Sequence, residues 1–94
     1  MNEEKNLDIF EEIKNRRESF TKSFNKIADF VCCNYEEVPF MTASEIAKRV
    51  GVNKSVVVRF ASALGYSGFV EMKKNLQKHL RSRLRMPDRM LAVS

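Results

Sequence analysis

A chain of 94 residues, 44% of them apolar, has room for one small hydrophobic core and no second independent unit. No segment approaches the apolar length that spans a bilayer, and the start, MNEEKNLDIF, is acidic and polar, unlike a secretory signal, so a cytoplasmic location is expected. The net charge of +5 is unevenly spread: residues 1–45 carry six Lys/Arg against ten Asp/Glu, whereas residues 46–94 carry eleven against two. A field of that kind over the second half attracts polyphosphate, although a cationic run alone is also what a well-solvated surface looks like. Apolar residues recur at spacings of three and four, and only three glycines and two prolines interrupt them. The expected fold is therefore all-α, a small bundle of five to six helices.

The first predicted helix covers about Glu4 to Arg17 and buries Leu7, Phe10 and Ile13, with Ile9 beside them. Its acidic start and its basic end, Lys14, Arg16 and Arg17, suit the helix dipole. The second runs from about Thr21 to Asn34, with Phe24, Ile27, Ala28 and Val31 as its apolar stripe and Phe20 packed where it begins. Together the two form a brace. Cys32 and Cys33 are adjacent, so on a helix they point apart and cannot readily bridge each other. One is expected in the core beside Phe30 and Val31, the other partly exposed. Neither a CxxC spacing nor a pair of histidines suggests zinc, and free adjacent thiols fit a reducing compartment. Tyr35 to Val38 reads as a short helical turn, and Pro39-Phe40-Met41 leads onward, with Phe40 expected to anchor the connection in the core.

The next stretch, ASEIAKRVGVNKSVVVRFAS over residues 43–62, reads as two short helices joined by a tight turn. Thr42 followed three residues later by Glu45 is a capping-box pattern before an apolar run. Ile46, Ala47 and Val50 face inward, leaving Lys48 and Arg49 outside, and Ala47 is small enough to let two steeply crossing helices approach. Gly51 adopts a left-handed backbone cheaply and stops the first helix. Asn53 restarts the chain, its side-chain amide suited to capping a helix whose inner face is Val57, Phe60, Ala61 and Leu64. Lys54, Ser55, Val58, Arg59 and Ser62 are left pointing outward.

Gly65 closes that helix, and Ser67-Gly68 opens the last one. Phe69, Met72, Leu76, Leu80 and Leu84 line one side of it, and Lys73, Lys74, Lys78, Arg81 and Arg85 the other. The far part of the stripe, Leu80, Leu84, Met86, Met90 and Leu91, exceeds what so small a domain covers and is a candidate contact with a second subunit. His79 is expected alone on the exposed side, with no role. Met86-Pro87-Asp88 reads as a helix-ending stretch where a linker begins, giving a domain over residues 1–85 and a linker or tail over 86–94.

A glycine-hinged helix pair within the cationic half is the arrangement of a DNA reader. The helix 54–64 is expected in the major groove of double-stranded DNA, with Asn53, Lys54, Ser55, Val58, Arg59 and Ser62 at base edges. Thr42, Ser44, Lys48, Arg49, Lys73 and Lys74 are the candidate contacts to the DNA backbone. Arg59 is the first choice for direct readout, since its planar fork donates two hydrogen bonds to one guanine; its rival role is a salt bridge to Glu45 or Glu71. One such domain offers few base contacts, so a homodimer on a pseudo-palindromic site is expected. The competing class is a helical protein-interaction module whose basic face meets an acidic partner. No catalytic residues, metal ligands or cofactor site are expected: there is no nucleophile with a base at recognisable spacing, no glycine-rich phosphate loop and no metal cluster, and an enzyme is not the reading.

From Phe24 through Leu76 the chain resembles the N-terminal domain of the RpiR family of bacterial transcription regulators, which respond to phosphosugars. KIADFV followed by NYEEV, MTASEIAKRVGVNKSVVVRF and above all ALGYSGFVEMKKNL carry the resemblance. It departs from the family at Tyr35, where proline is usual, and at Val56, where a hydroxyl residue is common and a phosphate contact would be lost. The resemblance implies control of sugar or phosphosugar metabolism genes. It also implies a phosphosugar effector, bound through a C-terminal sugar-isomerase-type domain that this chain does not contain.

Overall fold

The computed structural model describes residues 8–93, with side chains described through residue 82. Among them it is all-α: α1 (Ile9–Arg16), α2 (Lys22–Cys33), α3 (Ala43–Val50), α4 (Lys54–Ala63) and α5 (Phe69–Val93), with single 3-10 turns at Arg17–Ser19 and Val38–Phe40.

Local chemistry sets the helix starts. Asp8 caps α1, its Oδ1 accepting the Glu11 N–H at 2.9 Å, with Glu11 and Glu12 in the first turn and Lys14 and Arg16 in the last, where the helix dipole favours each sign. Thr21 caps α2 by accepting the Phe24 N–H at 3.2 Å. The Arg17 guanidinium clamps the α1–α2 corner, donating to Asn25 Oδ1 at 2.7 Å and pairing with Asp29. Farther on, Gln77 of α5 donates to the Pro39 carbonyl at 2.9 Å and ties the second 3-10 turn to the last helix.

The core is a single cluster fed by every helix. Ile9 and Ile13 of α1 meet Ile27, Ala28 and Val31 of α2, Ile46 and Ala47 of α3, Val57, Phe60 and Ala61 of α4, and Met72 and Leu76 of α5. At its centre Phe60 is fully buried, its ring centroid 5.5 Å from that of Phe20 and 5.6 Å from that of Phe24, within the range where aromatic pairs attract beyond simple burial. The predicted stripes of α2 and α4 thus face inward, and Leu80, expected beyond the cover of the domain and against a second subunit, is instead buried within the chain itself. Leu7 and the side chains of Leu84, Arg85, Met86, Met90 and Leu91 lie outside the described residues.

The packing departs from expectation at several places. Phe40 does not anchor the core; it is 70% exposed, because the 3-10 turn repeats every three residues and places Val38 and Met41, with Pro39, inward instead. Cys32 and Cys33 are both exposed, since the stripe through Ile27, Ala28 and Val31 passes them by on the helix. His79 is half-buried, its ring 4.7 Å from that of Phe10 and its Nδ1 3.9 Å from Asp8 Oδ2, so it joins α5 to the start of α1. The helix does not end near Met86-Pro87-Asp88: α5 continues to Val93, since a proline removes one amide donor from a 25-residue ladder without fixing where the ladder stops.

Candidate nucleic-acid interface

The unit that presents the candidate site is α3, the Gly51 turn and α4. At the start of α3 the Thr42 hydroxyl accepts the Glu45 N–H and the Glu45 carboxylate accepts the Thr42 N–H, a complete capping box. At its end Gly51 sits at φ 89°, where residues with a Cβ are strained, and the N–H groups of Gly51 and Val52 both close on the Ala47 carbonyl, at 2.8 and 3.0 Å. Buried Ala47 and Ile46 then let α4 cross closely over α3.

Along α4 the two faces separate cleanly. Val57, Phe60, Ala61 and, just past its end, Leu64 are buried, and Val56 is half-buried against the core. Lys54, Ser55, Val58, Arg59 and Ser62 are exposed, as is Asn53 in front of them. Their spacing of one, three and four residues gathers them on one side of a single helix, a strip of two cations, two hydroxyls and one apolar side chain. The Asn53 side chain makes no capping hydrogen bond, contrary to expectation: the Asn53 backbone carbonyl accepts the Val56 N–H at 3.0 Å, and the amide is left on the surface. Arg59 forms no ion pair among the described residues. Both of its candidate partners are engaged elsewhere, Glu45 in the capping box and Glu71 on the Ser67 N–H at 2.6 Å.

The candidate backbone contacts differ in how free they are. Thr42, Ser44 and Lys48 are exposed, and Lys48 has no ion-pair partner among the described residues. The amide end of α3, however, already holds a carboxylate, that of Glu45, so Ser44 and Lys48 are the better-placed groups for a phosphate there. Arg49 is partly committed: its Nη2 lies 3.4 Å from Glu37 Oε1 and its guanidinium 5.1 Å from the centre of the Phe30 ring. Lys74 is exposed and Lys73 half-buried on the second turn of α5, whose position is fixed by Met72 and Leu76 in the core.

Two groups near the α4–α5 junction carry displaced pKa values. The hydrogen bonds from Ser67 hold the Glu71 carboxyl below the usual carboxylate range. Burial, with the carboxylates of Glu12, Glu71 and Asp8 adding to it, pushes the Tyr66 phenol up to about 12. Sequence reasoning missed a shallow groove of about 490 Å³ beside α3, lined by Glu36, Glu37, Phe40, Met41, Glu45, Lys48 and Arg49, two of them candidate backbone contacts. Its one signal was Phe40 in a three-residue turn. No described helix is long and apolar enough to cross a membrane.

The model of a helix-turn-helix domain, rpiR family, matches residues 7–83. The match takes in the whole α3–Gly51–α4 unit, both bracing helices and the first half of α5.

Proposed function

The chain belongs to the rpiR family of helix-turn-helix domains, a family of DNA-binding transcription regulators, and from that premise we propose that it binds double-stranded DNA sequence-specifically with α4 in the major groove. The observation that carries this reading is the division of α4, with Val57, Phe60 and Ala61 buried and Lys54, Ser55, Val58, Arg59 and Ser62 exposed on one face. A recognition helix needs such a face, because bases are read by side-chain donors, acceptors and methyl groups that the fold does not itself use.

In this reading Arg59 and Lys54 donate to purine edges, and Asn53, Ser55 and Ser62 add shorter polar contacts. Ser44, Lys48, Lys74 and, more weakly, Thr42, Arg49 and Lys73 hold the phosphates and fix the register. The protein acts as a homodimer on two half-sites about one helical turn apart. Residues 1–85 form the DNA-binding unit, and 86–94 lead toward an effector domain outside this chain. A phosphosugar bound there shifts the two DNA-binding units relative to each other and so controls genes of sugar or phosphosugar metabolism in the cytoplasm.

Selection of duplexes from a random library, followed by binding at two salt concentrations, tests the proposal. Each neutralised phosphate contributes about −0.9 to the slope of log affinity against log salt. A selected site with two half-sites and a steep slope supports the reading. Negligible binding even at low ionic strength overturns it and favours a protein-interaction module instead.

A further inference from the structure

We infer that Val58 reads the C5-methyl group of a thymine in the bound site. The inference rests on the DNA-binding role proposed for α4 and adds the chemistry of one base.

Among the described large apolar side chains only Phe40, Val58 and Val70 are exposed, and of these Val58 alone stands on the outer face of α4. Three consecutive valines separate the demands on this helix. Val57 is fully buried and Val56 half-buried, so the core takes those two, whereas Val58 is 37% exposed. An exposed helical position is normally better filled by Ala, Lys or Glu, because a β-branched side chain loses rotamer freedom there. Val58 belongs neither to the buried core cluster nor to the partly buried residues packed against it.

The neighbours of Val58 leave part of it open to the outer face. Ser55 and Ser62, one turn before and one turn after, are short, and Lys54 and Arg59 flank it with long flexible chains. Helical side chains lean toward the N-terminus, so the valine methyls lie over the Ser55 turn, in the part of the helix that enters a groove first. Of the four base-pair orientations, the major-groove edges offer donors, acceptors and one apolar group, the thymine methyl. Against any other edge the valine strips water from a polar atom and returns no hydrogen bond. Against thymine it buries methyl on methyl. Val58 therefore selects for T and also against the alternatives.

The experiment uses the 94-residue chain and the duplex it enriches from a random library, with each thymine replaced singly by uracil, which keeps every hydrogen-bonding atom and lacks only the methyl. At one thymine of the half-site, uracil is expected to weaken binding by about fourfold, the value of one buried methyl group. Val58→Ala, which withdraws both γ-methyls, should lose most of the discrimination between the thymine and uracil duplexes. Val58→Thr, which keeps the branched shape and one methyl, should retain part of the discrimination and serves as the second variant if the alanine form melts early. A selected site in which no thymine shows a uracil penalty that falls in Val58→Ala overturns the inference and leaves the wider DNA-binding role standing. Failure to enrich any duplex, with no salt-dependent binding, removes both.

Discussion

The Thr42 hydroxyl accepts the Glu45 N–H at 3.1 Å while the Glu45 carboxylate accepts the Thr42 N–H at 2.9 Å, so each residue satisfies the other's free amide at the start of α3. The helix holds only eight residues and has little cooperativity of its own, which makes its cap a large share of its local stability. Thr42→Ala should cost about 1 kcal/mol, and in a domain of this size lower Tm by roughly 4–8 °C. Thr42→Ser should retain most of the stability. Thermal melts followed by circular dichroism check both, and equal Tm for Thr42→Ala and the parent chain would show that the cap does not stabilise the fold.

Phe60 joins α4 to the brace, since its ring meets Phe20 and Phe24 at 5.5 and 5.6 Å with no exposure to water. Phe60→Ala removes the filler of that space and is expected to cost about 3–5 kcal/mol. That is a large part of the 5–15 kcal/mol typical of a whole domain. Phe60→Leu should cost much less. Urea unfolding of the two variants checks the order; a Phe60→Ala midpoint close to that of the parent chain would mean that the three-ring cluster is not the centre of the core.

Much of this was legible in the residues, because the signals were local. Thr42 and Glu45 lie three residues apart, Gly51 marks the turn by its own backbone freedom, and Val57, Phe60, Ala61 and Leu64 repeat with the helix. The failures came where a decision was not local to the pattern. Phe40 reads as an anchor by its size, but a 3-10 turn has a period of three and points Val38 and Met41 inward. The pairing of His79 with Asp8 and Phe10 joins residues about seventy positions apart, which no spacing rule reaches. Asn53 was a sound capping residue by type, and a backbone turn took the N–H instead. The division of α4 into two faces was readable, whereas any base sequence that its outer face would read under the proposed function depends on a partner that the sequence does not contain.

Glu71 ties the chain just before α5 to the helix through the Ser67 N–H, and that bond holds its carboxyl below the ordinary carboxylate range. A carboxylate with a depressed folded pKa contributes stability that is present above its unfolded pKa, about 4.3, and is lost as pH falls through the lower folded value. Glu71→Gln keeps a hydrogen-bond acceptor and removes the charge. The Tm difference between parent and variant should therefore be largest near neutral pH and shrink below about pH 4. A difference that stays constant from pH 7 to pH 3 would assign the effect to packing.

Tyr66 should give an alkaline signature of the opposite kind. Its phenol is pushed up to about 12 by burial and by the nearby carboxylates, so the folded chain keeps a proton that the unfolded chain gives up near pH 10. Stability contributed by the neutral phenol is full below pH 10 and falls as the pH rises toward 12. In a tyrosinate absorbance titration, the component lost in Tyr66→Phe should be centred near the upper of these values while the fold persists. A lost component centred near 10 would show that the ring is solvated.

Arg59 separates base reading from general attraction. It is exposed and has no ion-pair partner among the described residues, so Arg59→Ala should leave the melting curve unchanged. If its guanidinium spans a guanine edge, the variant should lose about 1–3 kcal/mol on the selected duplex and far less on a scrambled one, and the base preference at one position should relax. Lys48→Ala provides the contrast: if Lys48 holds a phosphate, its loss should weaken all duplexes about equally and lower the magnitude of the salt slope by roughly one unit. Competition binding of the two variants on selected and scrambled duplexes, at two salt concentrations, reads both effects at once. Equal loss on the two duplexes for Arg59→Ala, with the fold intact, would place Arg59 among the phosphate contacts and pass the reading of sequence to Lys54 and Asn53 at the start of the helix.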